Sequence, residues 1–520
     1  MREGEKRVLK SSSIFVFFCL VPVWAGNALA VDAFPGAEGS GRHATGGRGG
    51  TVYEVNNLNN SGAGSIVDAV SQPNRTIVFR VSGTIPLGSV ILEPKSNITI
   101  AGQTAPGDGI CLKGRIHIKN NAHDIIIRYI RVRVDAGAAN SAGDAIDIDS
   151  GYNIIVDHVT ASYARDETIS CQENSDHVTV QWCIMSEALT FESHSYGSLI
   201  RGQYGQEKTY HHNLYAHNQG RNPRPGNYVD VNSDLEGLHF DFRNNVVYNW
   251  SGSVSGYNDD YTGFVSRYNF IGNDFIRGPE SSGGFYVFRE SSIDANGYFA
   301  DNAKNDVIPP TQWLLVYLNP DYFTSGDLII RYQASALVPM EPVTTTSAAQ
   351  AKIDVLANAG ASYPRRDIID TRIVKDVLNK TGHSIYNTDA QPEGGWPALN
   401  SLPALTDSDH DGMPDIWEIS HGLDPNDASD RNGYTLDSNY TNLEVYLNWL
   451  VSSVRTDIVY DGIVNFYDFA EFANHWNVST GNPLYSKRYD FDPNVMPNGM
   501  ISMDDFFYIA QDWLTSGQEY

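Results

Sequence analysis

The chain has 520 residues, of which 62 are acidic and 36 basic, and its formal net charge is −26. This negative balance excludes nucleic acid as the expected partner, because binding phosphates requires a basic face. Hydrophobic residues make up 41% and aromatic residues 11% of the chain. These fractions exclude wholesale disorder, and the length allows roughly two to four domains, or fewer if one of them is a long all-β domain.

The first thirty residues have the pattern of a signal peptide. Residues 2–10 are rich in basic side chains, Ile14 to Trp24 form a short apolar run, and Ala28-Leu29-Ala30 matches the small-x-small site of signal peptidase. The run is too short to span a bilayer comfortably, and no later stretch reaches the ~18 residues that a membrane helix needs. We therefore expect residues 1–30 to be removed and the mature protein to be secreted without a membrane span, with a retained anchor as the alternative.

Short β-rich runs recur through the first half of the chain. A repeat of about 24 to 32 residues indicates stacked units that bury their apolar faces only against their neighbours. No amphipathic helix pattern separates the runs, and the strand spacing of about 8–12 residues typical of an antiparallel sandwich is too short. The sequence therefore predicts an all-β domain over residues 31–405, a right-handed single-stranded parallel β-helix. The equivalent positions in successive coils are taken as Ile98, Ile125, Ile154, Val178, Tyr210, Phe240 and Val265.

Three polar residues hold similar positions relative to these runs. Asp144 and Asp166 precede the next anchors by ten and twelve residues, and Arg221 follows its anchor by eleven. Equivalent positions of stacked coils lie about 4.8 Å apart, so the two carboxylates should face each other with the arginine on the same flank. Close carboxylates need a cation between them, and hard oxygen ligands select Ca²⁺. A metal-and-arginine cleft is one interpretation, and three solvated turn residues are the other.

Several motifs occur in order along the same part of the chain. They are F-P-G-A-E-G-S-G at 34–41, T-G-G-R-G-G at 45–50, S-N-I-T-I-A-G-Q-T-A-P-G-D-G-I at 96–110, I-I-V-D-H-V at 154–159 and T-Y-H-H-N-L-Y-A-H-N-Q-G-R-N-P-R at 209–224. Together they resemble the pectate lyases of the first polysaccharide lyase family, from about residue 32 to about residue 400. The resemblance implies a parallel β-helix, a Ca²⁺-dependent cleft and β-elimination of polygalacturonate or pectin.

The resemblance also implies roles for individual residues. Arg221 falls in the family's R-x-P motif and would be the Brønsted base, while Asp144 and Asp166 fall on calcium ligands. Arginine is ordinarily an obligate cation. Arg221 would therefore either lose its proton through burial beside Ca²⁺ and Arg224, or stay charged and stabilise the anion formed in the reaction. The residues expected to bind substrate are Arg224, His194 and Lys208.

Three departures from the family pattern bear on this assignment. The second arginine after the R-x-P motif lies closer than usual, at Arg224. The further calcium aspartates of the family correspond to Ala142 and Ser170 in this chain. The lysine that precedes the R-x-P motif in the family has no counterpart near residues 194–197. These departures predict weaker cation binding before substrate arrives, or a shifted substrate preference.

A second acidic pattern follows Leu405. The stretch D-S-D-H-D-G-M-P-D-I-W-E at 407–418 matches a twelve-residue Ca²⁺ loop with glycine at the sharp turn. It resembles the EF-hand-like or thrombospondin-type-3-like segments of secreted enzymes, and we assign it residues 406–450. The expected calcium ligands are Asp407, Asp409, Asp411, Asp415 and Glu418.

Residues 455–516 form a third compositional unit, expected to be a small α-helical calcium-loop domain. Asp457, Asp461, Asn465 and Asp468 match loop positions 1, 5, 9 and 12, and the helical F-A-E-F-A-N-H-W follows. A second loop-helix unit comes after it, and the pair resembles a type I dockerin. This resemblance implies a cohesin-bearing scaffold protein as partner, and a self-contained calcium-stabilised cap is the alternative.

Two other functions compete with a secreted pectate lyase. One is a non-catalytic pectin-binding β-helix, suggested by the missing lysine and calcium ligands. The other is a pectin-degrading glycoside hydrolase on the same fold, for which Asp147 and Asp149 are the nearby candidate carboxylates.

Overall fold

The computed structural model describes residues 30–138, 142–190, 194–281, 284, 286–385, 396–452, 466–479, 500–503, 506, 509 and 510. Parallel β-strands form the bulk of the described chain from residue 51 to residue 318. The strands are β1 (Thr51–Val55), β2 (Arg75–Phe79), β3 (Gly83–Leu92), β4 (Ile98–Ala101), β5 (Ile110–Ile118), β6 (Ala122–Arg128), β7 (Ile130–Arg133), β8 (Ile146–Asp157), β9 (Thr160–Ser162), β10 (Ile169–Gln181), β11 (Ile184–Ser186), β12 (Leu199–Arg201), β13 (Glu207–His211), β14 (Leu214–Ala216), β15 (Arg224–Gly226), β16 (Leu238–Arg243), β17 (Val246–Tyr248), β18 (Gly256–Asn258), β19 (Ser266–Ile271), β20 (Asp274–Ile276), β21 (Phe288–Glu290), β22 (Ala295–Ala300), β23 (Ala303–Lys304) and β24 (Val316–Leu318).

Helices are short and lie mostly after the strands. The α-helices are α1 (Ile66–Ala69), α2 (Gly326–Tyr332), α3 (Ala348–Asn358), α4 (Ile368–Asn379), α5 (Asp415–His421), α6 (Asn442–Ser452) and α7 (Phe466–Ala473). Turns of 3₁₀ helix occur at Gly102–Thr104, Gln312–Leu315 and Asp430–Asn432. None of the helices in the described residues is both long enough and apolar enough to cross a bilayer.

The strands stack into three parallel ladders. The first ladder pairs β1, β2, β4, β6, β8, β10, β13, β16, β19 and β22 in that order. The second pairs β7, β9, β11, β14, β17, β20 and β23. The third contains parts of β3, β5, β8 and β10, then β12 and β15, and continues as the small sheet of β18, β21 and β24. The predicted parallel β-helix is therefore confirmed as an all-β parallel solenoid.

One interior position of the first ladder explains why the coils stack. Each residue there pairs with the equivalent residue of the next coil, and every pair buries apolar side chains against each other. Such contact between coils supplies the hydrophobic stabilisation that a single coil lacks. The column changes from aliphatic to aromatic along the chain: Ile77, Ile100, Ile127, Val156, Val180, Tyr210, Phe242, Phe270 and Phe299.

The register corrects two of the predicted anchors. Val178 pairs with Lys208 rather than with Tyr210, and Phe240 pairs with Tyr268 rather than with Val265. The anchor at Tyr210 is wrong because its true equivalent, Lys208, is a charged residue at an inward-facing position. Its ammonium group is fully buried and donates to the carbonyl oxygen of Ser175. Burial lowers the pKa of Lys208 to about 8. The prediction that Lys208 binds substrate is wrong, because its side chain lies inside the solenoid.

Asparagine side chains connect the turns between the first and second ladders. The backbone N–H and side-chain amide of Asn213 both donate to Asn245 Oδ1, at 2.9 and 3.0 Å. Asn245 donates in the same way to Asn273, and Asn273 to Asn302. Each amide thereby satisfies buried backbone groups of the neighbouring coil, as buried polar groups require. This row of asparagines fixes the corner between the first and second ladders.

Residues 406–452 pack on the first coils of the solenoid. Met413, Trp417 and Leu443 form a buried cluster with Ala101. Arg48 makes an ion pair of 2.7 Å with Glu444 in α6. The acidic segment is therefore attached to the β-solenoid by both apolar and charged contacts. A dockerin-like domain over 455–516 stays a prediction, since most of that range lies outside the described residues.

Candidate active site

The turns that connect the second ladder to the third form one flank of the solenoid. Their described parts are residues 134–138, 142–145, 163–168, 187–190, 194–198 and 217–223, and they belong to successive coils. Tyr196 forms isolated parallel bridges with Glu167 in the preceding turn and with Gly220 in the following one. This pairing continues the stacking of the coils into the turns. Polar residues of different turns consequently lie next to each other.

Three carboxylates of these turns form a compact acidic group. A ligand oxygen from each of Asp144, Asp166 and Glu167 lies within 4.8 Å of the others. The Glu167 backbone N–H donates to Asp144 Oδ1 at 3.1 Å, which joins the two turns directly. Asp144 and Glu167 are buried, while the side chain of Asp166 is 41% exposed. The predicted pair of Asp144 and Asp166 is brought together, and Glu167 is an additional member that the sequence analysis missed.

The acidic group is electrostatically strained when no cation is bound. Burial, and then the neighbouring Glu167 carboxylate, raise the pKa of Asp144 well above its ordinary value. Burial also raises the pKa of Glu167 to about 7, although Arg221 opposes the change. One oxygen of Asp166, Oδ1, is buried without a hydrogen-bond partner among the described residues. An unpartnered buried oxygen beside two other carboxylates fits a hard cation such as Ca²⁺.

Arg221 lies against this group. Its Nη1 makes an ion pair with Glu167 Oε1 and lies 4.0 Å from Asp166 Oδ1. The guanidinium stacks over the Tyr196 ring at 4.2 Å, and its Nε donates to Tyr257 Oη at 3.4 Å. Burial by itself would lower the pKa of Arg221, but the Glu167 carboxylate and Tyr257 outweigh it and raise that pKa. With Glu167 and Tyr257 as neighbours, Arg221 is therefore a positively charged guanidinium.

Two of the predicted substrate-binding residues lie at the edge of the same site. Arg224 is partly exposed and stacks over the Tyr257 ring at 5.3 Å. His194 Nε2 lies 3.6 Å from Asp166 Oδ1, and its ring contacts Tyr196 edge-on at 5.1 Å. Substrate binding by Arg224 and His194 stays a prediction, with both side chains next to the acidic group or its arginine.

A second acidic group lies in residues 407–430, on the first coils. Oxygens of Asp407, Asp409 and Asp411 lie within 4.8 Å of one another, and so do oxygens of Asp411, Glu418 and Asp430. Asp411 is thus shared by two overlapping triplets. Asp430 was missed by the sequence analysis, because it lies in a 3₁₀ turn beyond the twelve-residue loop pattern.

Asp415 does not belong to either triplet of the second acidic group. Its two oxygens accept hydrogen bonds from the backbone N–H and the hydroxyl of Ser408, both at 2.7 Å. The prediction that Asp415 is a calcium ligand is corrected, because its oxygens lie outside both triplets and are held by Ser408.

Four members of the second group have unsatisfied oxygens, whereas the two oxygens of Asp407 accept the backbone N–H groups of Asp411 and Gly412 at 3.2 and 3.1 Å. Both oxygens of Asp409 and of Glu418, and one oxygen of Asp411 and of Asp430, are buried without a hydrogen-bond partner among the described residues. Burial and the neighbouring aspartates raise the pKa of Asp411 to about 7, and burial and the same neighbours raise that of Glu418 to about 8. Buried carboxylates that lack donors are the usual environment of a hard divalent cation.

Of the four metal ligands predicted in residues 455–516, only Asp468 lies in the described part of the chain. Asp457, Asp461 and Asn465 lie outside the described residues. Asp468 is buried in the first turn of α7. Its role as a metal ligand stays a prediction.

The chain matches a protein-family model, several curated relatives and several solved structures. The family model described as pectate lyase matches residues 37–232. A probable pectate lyase C of Aspergillus flavus is 38% identical over 433 residues, covering 82% of this chain and 95% of the relative. A probable pectate lyase C of Aspergillus fumigatus is also 38% identical, over 435 residues with the same coverage. Among solved structures, the major allergen from cedar pollen matches with a TM-score of 0.47 and 17% identity, covering 62% of this chain and 92% of that one.

Proposed function

Since the chain belongs to the pectate lyase family and is a polysaccharide lyase, we propose that it cleaves polygalacturonate by β-elimination at the flank that carries Arg221. The observation that supports this most is the contact of Arg221 with the acidic group of Asp144, Asp166 and Glu167. The site places three carboxylates that could hold a cation next to a basic side chain on one flank of the solenoid.

The reaction explains why these residue types are needed. Elimination breaks the C5–H and C4–O4 bonds of a galacturonate unit and forms a C4–C5 double bond. The proton removed at C5 lies α to a carboxylate, so its removal produces an enolate-like dianion. A Ca²⁺ ion held by Asp144, Asp166 and Glu167 would neutralise that carboxylate and lower the cost of the extra charge. Stabilising this charge is the principal catalytic requirement.

Arg221 is the residue that we assign to the C5 proton. A neutral Arg221 would accept the proton directly, whereas a charged one would stabilise the dianion by hydrogen bonding. The ion pair with Glu167 favours the charged form, so direct proton transfer requires that this pair be weakened. Arg224 and His194, at the edge of the site, would bind carboxylates and hydroxyls of the neighbouring sugar units.

The test is near-ultraviolet absorbance during incubation with polygalacturonate, because only an elimination product has a double bond conjugated to its carboxylate. Arg221→Ala should lower the rate at saturating substrate by about 10²- to 10⁴-fold. Arg267→Ala is the matched control. Arg267 lies in β19 of the first ladder, pairs with Glu236 and belongs to none of the turns of the site. A chelator should abolish the signal. Saturated products would indicate a hydrolase instead, and binding without cleavage would indicate a non-catalytic pectin-binding protein.

We also propose that Asp407, Asp409, Asp411, Glu418 and Asp430 bind a second Ca²⁺ ion with a structural role. The buried oxygens of Asp409, Asp411, Glu418 and Asp430 that lack a hydrogen-bond partner among the described residues support this proposal. Asp407 is included because one of its oxygens lies within 4.8 Å of those of Asp409 and Asp411. Since residues 406–452 pack on the first coils, the ion would stabilise the attachment of this segment to the solenoid.

Secretion and tethering are further parts of the proposal. The N-terminal pattern of residues 1–30 supports export, and the dockerin-like pattern of residues 455–516 supports attachment to a cohesin-bearing scaffold. N-terminal sequencing of the exported protein tests the first. Binding of purified cohesin modules to the full chain, with and without calcium, tests the second.

A further inference from the structure

Glu167 contacts both Arg221 and the carboxylates that would hold the cation. Its Oε1 pairs with Arg221 Nη1, and its carboxylate belongs to the acidic group with Asp144 and Asp166. The side chain is 2% exposed, so water cannot easily replace either partner. Glu167 thereby connects the arginine that acts on substrate to the group that would hold the cation.

The two contacts of Glu167 compete with each other. A bound Ca²⁺ ion takes carboxylate oxygens at about 2.3–2.6 Å and carries a charge of the same sign as the guanidinium. An ion coordinated by Glu167 would therefore repel Arg221 and occupy the carboxylate that now pairs with it. By reciprocity, the arginine must weaken the binding of the ion by the same factor.

We propose that Glu167 is a positioning residue exchanged between Arg221 and the cation, which holds the arginine in the cation-free protein and releases it when the cation binds. This inference rests on the proposed function of the site. Two contacts remain to orient Arg221 after the exchange, namely the Tyr196 ring at 4.2 Å and Tyr257 Oη at 3.4 Å from Nε. The guanidinium would thus keep its place beside the site while losing its carboxylate partner.

The experiment measures Ca²⁺ affinity rather than catalysis. Isothermal titration of the full chain with Ca²⁺ should give one binding step that Asp144→Asn removes. Arg221→Ala should strengthen that step by at least about fivefold, because coupling between two sites usually lies between about 5- and 150-fold. Arg221→Gln, which keeps much of the side-chain volume, should act in the same direction if the alanine variant folds poorly.

Two controls separate exchange of Glu167 from a general effect of charge. Arg224→Ala removes a positive charge from the same site but breaks no pair with Glu167, so its effect should be clearly smaller. In a Glu167→Gln background, Arg221→Ala should change the affinity no more than Arg224→Ala does. A binding step at residues 407–430 would be unaffected by all of these variants and serves as an internal reference.

The outcomes are distinct. Equal effects of Arg221→Ala and Arg224→Ala, or an Arg221→Ala effect that persists in the Glu167→Gln background, would overturn the exchange while leaving the lyase proposal intact. An isotherm that Asp144→Asn does not alter would instead refute cation binding at this site, and with it the proposed calcium-dependent function.

Discussion

Replacing Asp411 by asparagine should have opposite effects on stability with and without calcium. Asp411 is fully buried, its Oδ1 accepts the Met413 N–H at 2.8 Å, and its Oδ2 has no hydrogen-bond partner among the described residues. Asparagine keeps the acceptor for Met413 and removes one negative charge from a crowded group. In chelator the substitution relieves repulsion, whereas in calcium it removes a ligand.

The magnitude follows from the pKa of Asp411, which burial and the neighbouring aspartates raise from 3.8 to about 7. At pH 8 the ionised carboxylate would cost the cation-free protein on the order of 4 kcal/mol without solvent screening, and about 2 kcal/mol once screening is allowed for. A ligand present at about a thousand times its dissociation constant adds about 4 kcal/mol. Asp411→Asn should thus stabilise the chelated protein by about 2 kcal/mol and destabilise the calcium-loaded protein by a similar amount.

The assay is denaturant unfolding at pH 8 followed by tryptophan fluorescence, since Trp417 lies buried in α5 beside this group. The native chelated protein binds more protons than the unfolded chain up to about pH 7, so its stability should fall as the pH rises through that value. Asp415→Asn is the control, because Asp415 accepts from Ser408 and should respond equally in both conditions. Equal destabilisation by Asp411→Asn in chelator and in calcium would refute the reasoning.

Two further predictions concern the solenoid itself. Asp370→Asn should destabilise the protein by about 3–5 kcal/mol, because the buried carboxylates of Asp367 and Asp370 together balance the buried Arg131 and Arg133, and removing one carboxylate leaves one positive charge of this cluster uncompensated. Thermal denaturation checks this, and a loss below about 1 kcal/mol would contradict it. Asn245→Ala should cost about 1–3 kcal/mol, because it leaves the buried backbone N–H of Asn213 without its acceptor, whereas the Asn213 side chain keeps its bond to the Val180 carbonyl oxygen. Unchanged amide hydrogen exchange at Asn213 would argue against this.

The solenoid could be predicted because its physical cause is periodic. Apolar runs recur once per coil, and the first four anchors, Ile98 to Val178, are paired in the structure as expected. The predicted anchors are wrong where a residue at an equivalent position is not apolar. Lys208 occupies an inward position where the pattern expects an apolar side chain. The sequence therefore places the anchor at Tyr210 and makes Lys208 a candidate for substrate binding.

The candidate sites could be predicted only in part. Stacking brings the turns of Asp144 and Asp166 together, but which of two adjacent acidic residues faces inward depends on the path of the turn. Glu167, rather than Asp166, is the buried member that contacts Arg221. In the second group, the loop pattern cannot include Asp430, which approaches Glu418 only through tertiary folding. Both omissions concern contacts that no local spacing encodes.

The two acidic groups differ in how neighbouring residues balance their negative charge in the cation-free protein. In the first, Glu167 is already paired with the positive charge of Arg221. In the second, both oxygens of Glu418 and one of Asp411 have no hydrogen-bond partner among the described residues. Under the proposed exchange, a cation entering the first group displaces Arg221 from Glu167. In the second group the positive charge of Arg80 lies 3.6 Å from Asp407, but the carboxylates of Asp409 and Glu418 have no hydrogen-bond partner among the described residues, so a cation there mainly relieves repulsion. Calcium added to the chelated protein should therefore restore stability at lower concentrations than it restores lyase activity. Coincident midpoints for unfolding and for activity would contradict this order.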